Sequence, residues 1–193
     1  MSEKPGNGAM TARFRLPLAA VGLTLLLAAC AEERIPPCPT VHTQSPLERL
    51  VRFVPGAPKT PENVLYEIRL TDNAIKCEYS DIKALATNID PAKDSMEVQL
   101  KLGFSVIRGP AATDGTVRAE YLVAVTDLRS TIVNKEVFLV EIHLPSRPGG
   151  VAHQTEENWM LFQLGGRTGL AFRIRTGLQL SDEELEFNRA QGG

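Results

Sequence analysis

Apolar side chains recur at every second position over much of the chain. Val64, Tyr66, Ile68 and Leu70 share one phase, with Leu65, Glu67 and Arg69 in the other. Val98, Leu100, Leu102, Phe104 and Val106 repeat the pattern opposite Gln99, Lys101, Gly103 and Ser105. Phe138, Val140, Ile142 and Leu144 alternate with Glu141 and His143, and Phe172, Ile174, Leu178 and Leu180 with Arg173, Arg175 and Gln179. Because successive side chains of an extended strand point to opposite faces, each run predicts a strand with one dry face. Less regular strands are expected at residues 49–54, 74–79, 119–126 and 158–164.

Turn formers separate the runs: Thr71-Asp72-Asn73, residues 109–115, 127–130 and 145–150, and Gly165-Gly166-Arg167-Thr168-Gly169. A parallel α/β sheet would need helices between its strands, and no amphipathic run of adequate length lies there. About seven or eight short strands at this spacing predict a mostly β protein, an antiparallel β-sandwich of the immunoglobulin or fibronectin kind. A lipocalin-like closed barrel is the second choice. One helix is expected, at residues 182–190. Ser181 and Glu184 form a Ser-x-x-Glu capping box, Leu180 and Leu185 hold staple positions, and Asp182 and Glu183 suit the positive end of the helix dipole.

The amino-terminal end has a different grammar. A polar stretch carrying Lys4, Arg13 and Arg15 precedes an uncharged apolar run from Leu16 to Ala29. That is the layout of an export signal, and the run is shorter than the roughly 20 residues that span a bilayer as a helix. Its last residues, Leu27-Ala28-Ala29 followed by Cys30, resemble the lipobox of bacterial lipoproteins. The resemblance implies a diacylglyceryl group on the Cys30 sulfur, cleavage after Ala29 and acylation of the new amino terminus; two or more acyl chains anchor stably where one does not. Ala31 and Glu32 follow the cysteine in place of the aspartate that retains such proteins in the inner membrane. The same resemblance therefore implies the outer membrane, with the domain on its periplasmic face. The organisation expected is a signal peptide over 1–29, a lipidated cysteine and proline-rich tether over 30–46, and a sandwich with a C-terminal helix over 47–193.

Without Lys4, Arg13, Arg15 and Glu3, 18 basic and 22 acidic side chains remain. No basic stripe is visible along the sequence, which argues against a nucleic-acid partner, and binding of anionic lipid through charge has no support at this level. With Cys30 assigned to lipid, Cys38 and Cys77 form an even pair in an oxidising compartment. A disulfide is expected, two buried free thiols being the alternative. The mature part also loosely resembles uncharacterised lipoproteins of α-proteobacteria. The matching pieces are Cys38-Pro39, Arg52-Phe53, Cys77-Glu78-Tyr79, Arg108-Gly109-Pro110-Ala111-Ala112, Tyr121 to Asp127, Lys135-Glu136-Val137-Phe138, and Gly177 to Arg189. That likeness implies location and fold and carries no established activity.

Candidate chemistry is sparse. Gly103-Phe104-Ser105-Val106-Ile107 half matches the nucleophile elbow of hydrolases, but Ser105 falls on the polar phase of a strand and is expected to be solvated. The glycine-rich run 165–169 lacks the Lys-Ser/Thr ending and following helix of a phosphate loop, and is expected to join two strands. A hairpin centred near Pro148 would set His143 opposite His153, with Glu141 on the same face, as weak candidates for metal binding or acid–base chemistry. His42 lies in the tether and is given no role. Glu183 and Glu184 are adjacent on a helix and do not face each other as a catalytic pair would. Trp159, Phe162 and Tyr121 are expected in the core, with a ligand pocket as the alternative. The expectation is a non-enzymatic binding or assembly module without a cofactor, held to the membrane by its lipid and acting on an envelope protein partner. The alternatives are a small-ligand or lipid carrier, and a metal-dependent enzyme or hydrolase using His143 and His153.

Overall fold

The computed structural model describes residues 36–80, 94–113 and 115–192. The segment read as an export signal, Cys30 and the first residues of the expected tether lie outside the described residues. Residues Ile35–Gly193 make one compact unit. Its strands are β1 (Thr40–Thr43), β2 (Arg49–Phe53), β3 (Val64–Tyr79), β4 (Ser95–Arg108), β5 (Thr116–Asp127), β6 (Ile132–His143), β7 (Val151–Gln163) and β8 (Phe172–Leu178), followed by α1 (Asp182–Ala190).

Two four-stranded sheets stack face to face, in the orders β1-β8-β5-β6 and β2-β3-β4-β7, and neither closes into a barrel. All pairings are antiparallel except β1 on β8. The mostly β antiparallel sandwich with one short C-terminal helix expected from the alternation is therefore present. The chain interlocks the layers: β4 leads across to β5, β6 leads back to β7, and β7 leads across again to β8.

The dry face of each strand meets that of the facing sheet. From β4 come Met96, Val98, Leu100, Leu102, Phe104 and Val106, all fully buried, and from the other sheet Val117, Tyr121, Val140, Ile142, Phe172, Ile174 and Leu178. Phe104 and Phe138 flank Tyr121 with ring centroids 5.1 and 5.4 Å away. Each such side chain taken from water is worth about 1.5–3 kcal/mol, which makes this face the main source of cohesion.

β3 departs from expectation in an informative way. Thr71-Asp72-Asn73 does not turn the chain; it forms a bulge inside one strand, with the pairing to β4 shifting by a residue between Leu70 and Asn73. A bulge of one residue inverts the side-chain phase beyond it. Before it, Tyr66, Ile68 and Leu70 face the core; after it, Ile75, Cys77 and Tyr79 do. Two half-strands of opposite phase, joined by Asp and Asn, look in sequence like two strands joined by a turn. Gly103 makes room on β4, since a Cβ there would lie 2.9 Å from the Thr71 hydroxyl oxygen.

The inverted phase closes one side of the sandwich. Cys77 reaches Cys38 in a disulfide, with Cα atoms 5.8 Å apart. The Tyr79 hydroxyl donates to the Pro37 carbonyl at 2.8 Å and accepts from the Gly169 amide at 2.9 Å. Gly169 is required at this crossing, because a Cβ would sit 2.5 Å from the Pro37 oxygen. Proline-rich composition predicted an irregular tether up to residue 46, yet 40–43 form β1, with Val41 packed on the core. The folded domain thus begins well before residue 47, because β8 supplies the hydrogen-bonding partner that a tether lacks.

At the other end α1 has its expected bounds and a complete capping box, Ser181 accepting from the Glu184 amide and Glu184 from the Ser181 amide.

Replacing Cys38 and Cys77 by alanine should lower the urea-unfolding stability by about 4 kcal/mol, the chain-entropy value for a loop of this length. A midpoint unchanged from wild type would refute the assignment of this bridge as a main brace of the fold.

Candidate functional site

The two sides of the sandwich are finished differently. On one side α1 covers the edge strand β2. Phe53 and Phe187 meet edge to face at 5.2 Å, Arg52 pairs with Glu184 at 3.0 Å, and the buried Asn188 amide donates to the Pro46 and Arg49 carbonyls. On the other side β6 and β7 end their sheets, and among the described residues no strand pairs beyond either.

Which backbone groups these edges offer follows from the ladder. Arg108 donates its amide to Gly150, and Leu164 donates to Asp94, so even-numbered residues are the ones bonded between β7 and β4. Alternation in an antiparallel ladder turns the amides and carbonyls of the odd-numbered residues, Val151 to Gln163, outward. The bond from Leu144 to Gly115 sets the same parity on β6, turning odd residues from Val137 to His143 away from β5 on that edge, while the Lys135 amide is taken by Asn134 Oδ1 at 2.9 Å. Natural edges are blunted by charged side chains, proline, bulges or cover, and of these β6 and β7 carry charges such as Lys135, Glu136, Glu156 and Glu157. β7 has neither proline nor glycine over its 13 residues, and its register with β4 is unbroken.

Apolar side chains rim the same edge. Trp159 is 61 % exposed and Leu161 67 %, with Ile132, Val133, Val137 and Leu139 exposed on β6. Where the start of β6 parts from the end of β7, an open cleft of about 370 Å³ lies between Val133, Asn134 and Glu136 on one wall and Trp159 to Gln163 on the other, with Val125 and Phe172 also lining it. Trp159 was expected in the core; it stands on the outer face because its phase is that of Glu157 and Leu161, while the buried phase belongs to Asn158 and Phe162. Phe162 and Tyr121 are core residues as expected, and Phe162 also forms part of the cleft.

Two ion pairs and the carboxylate of Glu97 lie beside Trp159. Lys76 pairs with Glu78 and Lys101 with Glu157, each at 2.6 Å. Bonds from Lys101 and then Gln99 hold the Glu157 carboxyl below the usual carboxylate range. Behind the edge, the Tyr121 hydroxyl donates to Asn158 Oδ1 at 3.1 Å, and the Asn158 amide nitrogen is buried without a partner. An unsatisfied donor of this kind costs about 1–3 kcal/mol.

The histidine expectation is corrected by the topology. β6 and β7 do not form a hairpin; they belong to different sheets. His143 lies opposite Thr116, whose hydroxyl is 2.9 Å from its Nδ1, and His153 lies opposite Ser105 on β4. Glu141 is taken up by Arg118 at 2.7 Å. Among the described residues no three His, Cys, Asp or Glu side chains converge on a metal-sized site. Ser105 is on the outward phase but only 8 % exposed, since it stands in a central strand between the longer side chains of Arg69 and His153. The run 165–169 joins β7 to β8 as expected, with Gly165 and Gly166 at positive φ and the Gly166 amide bound to Asp94. Glu184 serves the helix cap and Arg52, and Glu183 lies 3.8 Å from Lys59.

Sequence reasoning missed the edge. A usable signal was there: Val137-Phe138-Leu139-Val140 is apolar in both phases, and Trp159 and Leu161 are apolar in a polar phase. No protein-family model, no curated protein and no solved structure matches the chain.

Burial raises the Tyr121 phenol above its ordinary value of 10.0, against the bond to Asn158. Burial likewise raises Tyr79 above 10.0, opposed by the Gly169 amide and helped by the nearby Asp94 carboxylate. An acid that holds its proton more tightly folded than unfolded contributes stability in full below the unfolded value, and that contribution is lost as pH rises through the folded one. Urea-unfolding stability should therefore fall above about pH 10, with a shallower fall in the double variant Tyr79→Phe, Tyr121→Phe. Identical slopes in variant and wild type would refute this origin.

Proposed function

We propose that the protein is an outer-membrane lipoprotein whose periplasmic sandwich acts as a binding or assembly module, taking an extended segment of another envelope protein onto its β6–β7 edge. The carrying observation is that edge: two long neighbouring strands with free backbone groups, an unbroken register on β7 and exposed aliphatic and aromatic side chains beside an open cleft. A segment that adds a strand gains affinity from main-chain hydrogen bonds and specificity from pockets for alternate side chains. Trp159 and Leu161 would supply those pockets, an aromatic anchor being the usual centre of such an interface. With Lys76 and Lys101 already paired beside Trp159, an apolar contact is favoured there over one to an acidic segment.

The anchor is supported by Leu27-Ala28-Ala29-Cys30 and the uncharged run before it, and the choice of membrane by Ala31-Glu32. A lipid anchor suits a binder, because confinement near one membrane raises the effective concentration toward a partner held there.

Three predictions test the two halves of this reading. Cys30→Ala should abolish incorporation of labelled fatty acid and leave an unprocessed precursor; label entering the variant would remove the anchor. In a deletion strain, an exported soluble form spanning 31–193 should fold but complement poorly, whereas the anchored double variant His143→Ala, His153→Ala should complement normally. The reverse pattern would reject a tethered binder. Thr155→Pro deletes only an outward amide, so the anchored variant should fold, yet reduce complementation at least ~10-fold, as should Trp159→Ala, while Thr155→Ala should not. Full activity of folded Thr155→Pro would reject strand addition.

A further inference from the structure

The outer face of the sheet β1-β8-β5-β6 carries a pattern that neither the sequence nor the net charge displays. Pairing registers place His42, Arg175, Ala124 and Lys135 in one row across four strands, and Thr40, Arg173, Thr126 and Ile132 in the next. Paired residues share a face, and rows two residues apart are separated by roughly 7 Å. Two guanidinium groups, one ammonium and one imidazole therefore stand together within two rows, and neither row contains an acidic residue.

These cations are not occupied elsewhere. Among the described residues, the Arg173, Arg175 and Lys135 side chains make no ion pair or side-chain hydrogen bond, in contrast to Lys76, Lys101 and Arg118, each of which has its carboxylate. The following row, Gly177, Leu122 and Val137, is apolar. Beside the cations, Ile132, Val137 and Leu139 are exposed on β6. Ala124 and Thr126, which alternate with the arginines across the β5–β8 pairing, are buried although they lie on the outer face. The Thr126 hydroxyl, in the Arg173 row, is buried without a hydrogen-bond partner.

We propose that this face docks on an anionic phospholipid surface, Arg173, Arg175 and Lys135 holding headgroup phosphates while the neighbouring aliphatic side chains meet the interface. Arginine forks match phosphate oxygens in pairs, and cations beside exposed aliphatic groups are the pattern of interfacial binding. The choice of a membrane over a soluble anion rests on the anchor proposed above. Cys38 is held by the disulfide, so only seven residues, or eight Cα-to-Cα steps, separate it from Cys30. At full extension that tether reaches about 28 Å. It enters at β1, the edge of this same sheet, which carries His42. The chain leading from Cys30 thus joins the domain at the sheet whose outer face carries the cations.

The test uses the soluble form spanning 31–193, which lacks the lipid but keeps every strand, the disulfide and the whole core. Flotation with vesicles of 40 % phosphatidylglycerol in phosphatidylcholine, at roughly 20 mM salt where screening is weak, should recover it. Vesicles of phosphatidylcholine alone should not. A cation near an anionic surface improves partition about fivefold, so R173Q/R175Q should weaken recovery by roughly 25-fold, and K135Q by about fivefold. R173K/R175K should retain most of it, and K76Q/K101Q on the other sheet should change nothing. Circular dichroism on each variant separates loss of binding from loss of fold, and K135Q, altering an exposed edge residue, serves if the arginine variant does not fold. Equal recovery on both vesicle types, or undiminished recovery of folded R173Q/R175Q and K135Q, would overturn the proposal. Complete competition by millimolar glycerol phosphate would also overturn it, in favour of a soluble phosphate ligand. Because the protein carries no lipid in this experiment, its outcome is independent of the fatty-acid labelling that tests the anchor and of the Thr155 and Trp159 variants that test the edge.

Discussion

The single extra residue in β3 governs much of this molecule. Without the bulge at Thr71-Asp72, the half-strand beyond it would turn Lys76 and Glu78 toward the core and Cys77 and Tyr79 toward water. With it, Lys76 and Glu78 pair with each other on the surface, and Cys77 and Tyr79 face inward. From there they hold Cys38, Pro37 and Gly169, which belong to the approach to β1 and to the β7–β8 connection. One register shift therefore decides that the two layers are braced along one side. Burying an unpaired charge would cost several kcal/mol, so the alternative phase is not a competitor.

The features that sequence alone made legible are those set by local alternation. β4 keeps one phase over its whole length, and every inward residue it proposed is fully buried. The helix was readable for a similar reason: a capping box is a contact between residues three apart. The disulfide could be expected from the even pair of cysteines that remains once Cys30 is set aside, without needing geometry. What failed was each inference that assumed a partner strand. The proposed His143–His153 pair required β6 and β7 to be hydrogen-bonded neighbours, and adjacency in sequence suggested it; the chain instead changes sheet between them. β1 was invisible because four residues among prolines have no period to display, and their order comes from β8.

The two candidate surfaces are long-range in the same sense. Arg173 and Arg175 read as the polar phase of a strand, and Lys135 as one charge among several in a segment almost 40 residues earlier. Their convergence is a property of the register that aligns Arg175, Ala124 and Lys135, and no composition measure over the chain detects it. A chain that is acidic overall can still present a locally cationic patch, because many of its carboxylates lie on the opposite sheet with Lys76, Arg69 and Lys101 and on the helix, while on the same face Glu120 and the Arg118-paired Glu141 stand two and three rows from Arg175.

The placement of these surfaces also limits how they can work together. Along the sheet β1-β8-β5-β6 the tether enters at β1, and the uncovered edge is β6, three strand spacings or about 14 Å away. If the outer face of this sheet lies on headgroups, β6 lies near the membrane with its odd-numbered amides directed along the surface, while β7, at the edge of the upper sheet, is one layer or about 10 Å higher. A partner strand could then reach β7 laterally without dislodging the domain, whereas pairing on β6 would bring the partner into the headgroup region. The intact register of β7 and the exposure of Trp159 and Leu161 along it are what a lateral approach to the upper edge requires. Orientation by the cationic face and recognition by the edge would then be separate steps, the first limiting rotation of the tethered domain and the second making use of that limit to lower the entropy lost on binding.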